Sequence, residues 1–123
     1  MNNKIKITAQ SNYVSKLSNK KDSLFYFMYT ISIKNSGKNK VKLLSRCWNI
    51  SNGLGEFKKV EGEGVIGEKP VISPGEIFKY NSYCPLDTEF GSMDGYYIME
   101  DEKNNFFKVK IPKFLLVLPN IIN

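Results

Sequence analysis

The feature that most restricts how this 123-residue chain can fold is a two-residue period, in which large apolar side chains recur at every second position. The clearest case is the run Phe25, Phe27, Tyr29, Ile31 and Ile33, whose members are separated by single residues of the other face. Successive side chains of a β-strand point to opposite faces, so this pattern predicts a strand with one buried face. No window of about a dozen residues keeps the 3.6-residue period of an amphipathic helix. The chain is therefore predicted to be nearly all strand.

Turn chemistry divides the alternating segments. Asn52-Gly53 tolerates positive φ, and Pro74-Gly75 fits the central positions of a type II turn. The predicted strands are Phe25–Lys34, Val41–Ile50, Glu56–Glu61, Ile77–Cys84, Gly95–Glu100, Phe106–Ile111 and Phe114–Leu118. Gln10–Ser23 is interpreted as a long polar connection. About seven short strands at this spacing predict one domain over residues 1–123, an antiparallel β-sandwich of immunoglobulin or fibronectin type III type.

A glycine-rich run, G-E-G-V-I-G, has the spacing of a phosphate-binding loop at Gly62, Gly64 and Gly67. In a dinucleotide-binding fold a buried strand precedes such a loop and a helix follows it. The residues before this run are charged, and Pro70 and Pro74 follow it closely. A structural loop is therefore favoured, while its exposed amides, with Lys69 beside them, form a candidate anion site.

Residue types that support catalysis are scarce. Histidine is absent, which removes the commonest general base and the nucleophile pairs built on it. Two cysteines cannot complete a four-ligand zinc site. The carboxylates around the glycine run, Glu61, Glu63 and Glu68, are interpreted as a solvated rim. We expect no enzyme, no cofactor and no bound metal.

The net charge of +6 comes from lysines apart from a single arginine, Arg46. Specific phosphate and base contacts rely on arginine, so specific nucleic-acid binding is not expected. Two interpretations of Arg46 remain open at this point. In the favoured interpretation, its guanidinium pairs with a carboxylate or with loop carbonyls while its stem packs on Trp48. In the other, the guanidinium contacts a partner protein.

The expected location of the chain is the cytoplasm. Cys47 and Cys84 lie in apolar-patterned segments, which indicates reduced, half-buried thiols rather than a disulfide framework. The N-terminus lacks the apolar core of a signal peptide. The longest apolar run, Phe114–Leu118, ends at Pro119 and is far shorter than the roughly 20 residues that span a bilayer.

A series of ordered motifs covers nearly the whole chain. They are Ser11 and Tyr13; Phe27-x-Tyr29-x-Ile31-x-Ile33-x-Asn35-x-Gly37; Val41-x-Leu43-x-x-Arg46-x-Trp48-x-Ile50; Asn52-Gly53-x-Gly55; Val60-x-Gly62-x-Gly64-Val65-Ile66-Gly67; Pro70-x-x-x-Pro74-Gly75-Glu76; Thr88-x-x-Gly91-x-Met93-x-Gly95-x-Tyr97; and Ile111-Pro112-x-Phe114. With these motifs the chain resembles the ApaG family, also called the DUF525 domain.

The resemblance implies a sandwich fold and a binding role without known enzymatic activity. Stand-alone bacterial members are linked to cobalt and magnesium tolerance or efflux, and eukaryotic proteins use the domain in protein interaction. The glycine run of the family has been suggested to bind pyrophosphate or nucleotide. This chain has Tyr96 where members often have histidine, and Lys69 where they often have glutamine.

The sequence thus predicts a non-enzymatic protein-interaction module, with divalent-cation efflux as a linked process. The predicted partner-binding residues are Arg46, as the single arginine, and Leu116, Leu118 and Ile121, because the apolar C-terminal segment exceeds what one buried strand face needs. The alternative is a nucleotide- or pyrophosphate-binding regulator that uses Gly62, Gly64, Gly67 and Lys69. Self-association is left open.

Overall fold

Two antiparallel sheets face each other across an apolar core in the computed structural model, which describes residues 4–119. The strands are β1 Ile5–Tyr13, β2 Phe25–Asn35, β3 Val41–Asn52, β4 Phe57–Glu63, β5 Val71–Ile72, β6 Ile77–Leu86, β7 Phe90–Asp101 and β8 Phe106–Val117. Single-turn 3-10 helices occupy Ser15–Leu17 and Lys20–Asp22. The predicted antiparallel β-sandwich is confirmed.

The order of strands leaves the two long sides of the sandwich different. One sheet runs β1-β2-β6, and the other runs β4-β3-β7-β8, with β5 pairing beside β3. At one side β1 lies against β8, where the Ser11 hydroxyl donates a hydrogen bond to the Leu115 carbonyl at 2.6 Å. At the opposite side the sheets end at the edge strands β4 and β6, and an open cleft separates them.

Alternation in the sequence matches the two faces of the strands. In β2, every odd residue from Phe25 to Ile33 is buried and the residues between them are half-buried. Trp48 is only 2% exposed and packs edge-to-face against Tyr29, with ring centroids 5.3 Å apart. Burial of such aromatic side chains supplies much of the stability of a domain of this size.

Several boundaries predicted from the sequence are wrong: β7 begins at Phe90 rather than Gly95, and β4 continues through Gly62 to Glu63. Residues Gln10–Tyr13 belong to β1, where they pair with Thr30–Phe27 of β2, so the polar connection begins only after Tyr13. The two predicted C-terminal strands form the single strand β8. Pro112 lies in β8 where the register with β7 shifts between Met93 and Gly95, so its missing N–H removes no regular ladder bond.

Candidate functional site

The opening between β4 and β6, called here the edge cleft, is a concave surface made of adjoining sections. Its loop end, about 260 Å³, includes Arg46 and the turn 65–67, and its middle section, also about 260 Å³, is floored by Trp48. The two sections share Tyr29, Arg46 and Ser82. A third cavity of about 380 Å³ continues past Lys58 and Pro85 to the far end.

Arg46 stands at the junction of the loop end and the middle section. Its Nη1 donates to the carbonyl of Glu63 at 3.0 Å and to that of Gly64 at 2.8 Å. This is the favoured interpretation from the sequence, in which loop carbonyls accept from the guanidinium. Gly62 is the cross-strand partner of Arg46, and a Cβ at position 62 would lie 2.7 Å from Nη2. Gly62 is therefore required for the guanidinium to lie across β4.

The remaining glycines of the run build a tight turn. Val65 and Glu68 exchange backbone hydrogen bonds of 2.8 and 3.0 Å, and both residues between them have positive φ, 42° at Ile66 and 82° at Gly67. These features define a type I′ hairpin turn. Gly64 has φ 63°, and a Cβ there would lie 2.3 Å from the Glu68 carbonyl oxygen. The spacing that resembles a phosphate loop thus satisfies local backbone geometry here.

Charge at this turn is largely balanced. Lys69 Nζ lies 2.7 Å from Glu63 Oε1, and this hydrogen-bonded pair lowers the pKa of the Glu63 carboxyl. The backbone N–H groups of Ile66 and Gly67 find no acceptor within residues 4–119. The predicted anion residues Gly62, Gly64, Gly67 and Lys69 are therefore close together, but the lysine is already paired.

Three tyrosines and Arg46 form a polar cluster at the cleft wall, where Tyr29 and Tyr80 line the cleft and Tyr97 is buried behind them. The hydroxyls of Tyr80 and Tyr97 share a buried hydrogen bond, and Ser82 lines the cleft together with Tyr29. Burial raises the pKa of all three phenols above the ordinary value, while the charge of Arg46 acts in the opposite direction on each. These phenols stay protonated at neutral pH and can serve as hydrogen-bond donors or acceptors.

The indole N–H of Trp48 is a buried hydrogen-bond donor without an acceptor within residues 4–119. The indole rings pack edge-to-face against Tyr29, Tyr97 and Phe114. Indole N–H is a donor only and is normally paired when buried, so the missing acceptor makes Trp48, which also lines the cleft, a candidate site residue.

Both cysteines are free and buried, one on each sheet. Cys84 lies in the middle section of the cleft, where burial raises the pKa of its thiol to about 11. Cys84 is thus an unreactive core thiol at neutral pH.

Among residues 4–119, no group of three or more cysteine or acidic side chains is arranged to hold a metal ion. No helix in that range is long and apolar enough to cross a membrane.

The predicted partner residues fall in different environments. Leu116 and Leu118 are buried, so the expectation that they form an exposed partner surface is corrected: alternation in β8 directs Leu116 inward and leaves Leu115 outside. Ile121 lies outside the described residues. Arg46 is half-buried at the cleft.

Three further residues line the cleft beside Arg46 but were not predicted as site residues: Tyr29, Lys58 and Ser82. They come together only through the stacking of the two sheets, which the sequence of a single strand does not reveal.

Known proteins with similar sequences include several that are named Protein ApaG. The family model described as the ApaG domain matches residues 15–101. Protein ApaG of Pectobacterium carotovorum is 43% identical over 117 residues, which is 95% of this chain and 94% of that protein. Protein ApaG of Proteus mirabilis is 40% identical over 120 residues, covering 98% and 96% of the two chains.

Solved structures agree with these matches. A crystal structure of a Bordetella pertussis protein described as ApaA has a TM-score of 0.91 and 36% identity, and covers 94% of each chain. A second solved structure has a TM-score of 0.93 and 37% identity, and the match covers 98% of this chain and 91% of that one. Sequence, coverage and fold agree throughout, and this chain belongs to the ApaG family.

Proposed function

We propose that the chain is a non-enzymatic binding domain that engages another protein through strand β4. The observation that carries this proposal is the unpaired outer edge of β4, which borders the edge cleft. An exposed sheet edge accepts an extended segment by main-chain hydrogen bonds, and neighbouring pockets then select its side chains. Membership of the ApaG family is consistent with such a role and does not specify it.

The register of β3 and β4 identifies the available main-chain groups. At one end of the ladder the backbone N–H of Asn52 donates to the backbone carbonyl of Glu56. At the other end the backbone N–H of Gly64 donates to the backbone carbonyl of Leu44. Hydrogen-bonded pairs alternate along an antiparallel ladder, so the even residues of β4 face β3. The N–H and C=O groups of Phe57, Lys59 and Glu61 consequently point away from the sheet.

Side chains along β4 also fit a docking edge. Phe57 is 70% exposed and Val60 is 37% exposed, although both lie on a strand. Lys58 and Lys59 add positive charge between them. Lysines on an edge strand oppose pairing with a second positively charged copy and leave pairing with an acidic segment favourable.

The cleft offers hydrogen-bond donors rather than groups for proton transfer. Burial raises the pKa of its Tyr29 and Tyr80 side chains, and the chain has no histidine. These groups support binding without catalysis. The free thiols of Cys47 and Cys84 fit a reducing compartment, so we place this function in the cytoplasm. A partner involved in cobalt or magnesium efflux would fit the same binding role.

The test uses a matched pair of variants at Lys59. Lys59→Pro removes an N–H that points away from β3, and Lys59→Ala removes the charge while keeping the N–H. Proteins captured from the source cells by the wild-type chain are compared by quantitative mass spectrometry. We expect a set that is retained by Lys59→Ala and lost by Lys59→Pro, with both variants folded. Equal capture by the two variants would exclude strand addition at β4.

A second candidate is a nucleotide- or pyrophosphate-binding regulator. The N–H groups of Ile66 and Gly67, which have no acceptor within the described range, favour it, and the pairing of Lys69 with Glu63 opposes it. Calorimetry with pyrophosphate and ATP at physiological salt separates the two functions. We expect no saturable heat, and a one-to-one complex that persists as salt is raised would reverse the ranking.

A further inference from the structure

We propose that the middle section of the edge cleft binds a carboxylate side chain, Asp or Glu, of the extended segment that pairs with β4. This inference rests on the proposed function and names the chemistry of the partner. The occupant is an acidic segment of another protein, whose backbone pairs with the outer edge of β4.

The first argument is the unsatisfied donor at Trp48. Nε1–H is buried without an acceptor among the described residues, and the rings of Tyr29, Tyr97 and Phe114 pack edge-to-face around the indole. Trp48 also lines the middle section of the cleft. A buried N–H without an acceptor is costly, so an oxygen that enters from the cleft and accepts from it gains a favourable hydrogen bond.

The second argument is the unused part of the Arg46 guanidinium. Of the five N–H groups that arginine carries, Nη1 directs two to the carbonyls of Glu63 and Gly64. The N–H groups on Nε and Nη2 have no acceptor within residues 4–119. Charge-assisted bonds from guanidinium to carboxylate are among the stronger hydrogen bonds in proteins. Arg46 is thus held in place by the turn and keeps donors for a ligand.

The third argument is charge. Arg46 and Lys58 line the middle section, and no carboxylate does. Nearby carboxylates are already engaged, Glu63 with Lys69 and both Glu56 and Asp87 with the Asn52 amide. The whole chain carries a net charge of +6, which attracts an acidic partner and repels a second copy of the chain.

The direction of the side chains on β4 matches the position of the middle section. That section measures about 260 Å³, which is enough for one side chain of an added strand. Lys58 and Val60 of β4 turn their side chains into this section. In a strand added beside β4, alternate side chains point to the same face, so one of them reaches the cleft near Val60 and Gly62. Gly62 adds no side chain that would block the approach.

The test uses the full chain and a displayed library of random peptides about nine residues long, the length of a long strand. We expect selected peptides to share Asp or Glu at one fixed position. Replacing that Glu by Gln in a synthetic peptide is expected to weaken binding about 10-fold, because the charge-assisted bonds are lost. Trp48 is the only tryptophan, so its emission should shift when the Glu peptide binds.

Variants separate the contributions. Trp48→Phe removes the N–H and keeps an aromatic ring, and we expect it to weaken the Glu peptide about 5-fold by fluorescence anisotropy of labelled peptide. Lys58→Gln, a surface change that leaves the ladder intact, is expected to weaken the same peptide about 3-fold at low salt. Thermal unfolding confirms that each variant is folded.

The outcomes distinguish this inference from the proposed function. Selected peptides that lack an acidic residue but are blocked by Lys59→Pro would overturn the carboxylate site and leave strand addition standing. Acidic peptides that bind Lys59→Pro and wild type equally would overturn the pairing with β4 on which the inference depends. Failure to select any peptide would count against both. Equal binding of Glu and Gln peptides would overturn the carboxylate site alone.

Discussion

Arg46 lies directly opposite Gly62 in the β3–β4 ladder, and its guanidinium occupies the space that a side chain at position 62 would need. From there Nη1 holds the carbonyls of Glu63 and Gly64. One arginine therefore couples an edge strand, a tight turn and the wall of the edge cleft. The single arginine of the chain can adopt this position only because the residue opposite it is a glycine.

Replacing Gly62 by Ala should destabilise the chain by about 2 kcal/mol, because the new Cβ displaces the guanidinium and breaks its bonds to two carbonyls. Urea unfolding of Gly62→Ala, Arg46→Ala and the double variant tests the coupling. We expect the Ala at position 62 to cost much less when Arg46 is already absent. Additive costs would show that the two residues are independent.

Gly64→Val should lower the free energy of unfolding far more than Glu63→Ala. The valine would adopt φ near 63° with its Cβ 2.3 Å from the Glu68 carbonyl oxygen, a strain and a clash that together cost about 3 kcal/mol or more. Glu63 is exposed and its pair with Lys69 is a surface ion pair. Similar denaturation midpoints for the two variants would contradict this account of the turn.

The sequence predicted those parts of the fold that depend on neighbours along the chain. The face of β2 follows directly from the alternation of Phe25 to Ile33, and burial of Trp48 follows from its place in an apolar strand. The hydrogen bonds of Arg46 to loop carbonyls were also foreseen, since a guanidinium with several donors suits such a position. Local pattern was sufficient in each case.

Pairing between strands that are distant in the sequence could not be predicted from such local patterns. Gln10 and Asn12 look like loop residues, yet pairing with β2 makes them part of an edge strand whose outer face is in water. Pro112 looks like a strand end, but a register shift accommodates it. The edge cleft arises only when β4 and β6 end on the same side of the sandwich, which no single segment encodes.

Acid should destabilise the turn that joins β7 and β8 through Asp101. Its carboxylate accepts from the backbone N–H groups of Lys103 and Asn105, and these bonds lower its pKa below the ordinary value of 3.8. A lowered folded-state pKa gives stability that is present above pH 3.8 and is lost as the pH falls through the folded value. In Asp101→Asn, the loss of stability below that pH should be smaller than in wild type. Identical acid dependence of the two proteins would exclude Asp101 as a contributor.

Alkali should reveal the buried tyrosines of the cleft wall. Burial raises the pKa of Tyr29, Tyr80 and Tyr97 above the ordinary value of 10.0. A raised folded-state pKa means that their contribution to stability is complete below pH 10.0 and declines as the pH rises above it, because the unfolded chain then ionises more readily. Titration by phenolate absorbance should show three of the seven tyrosines protonated until the chain unfolds.

The matched control for this titration is Tyr80→Phe. It removes one buried phenol and leaves the Tyr97 hydroxyl without its hydrogen-bond partner, so stability at neutral pH should fall by about 1–2 kcal/mol. The number of tyrosines that ionise only on unfolding should decrease from three to two. All seven tyrosines ionising together near pH 10.0 in the folded chain would refute the buried cluster, and with it the polar wall proposed for the cleft.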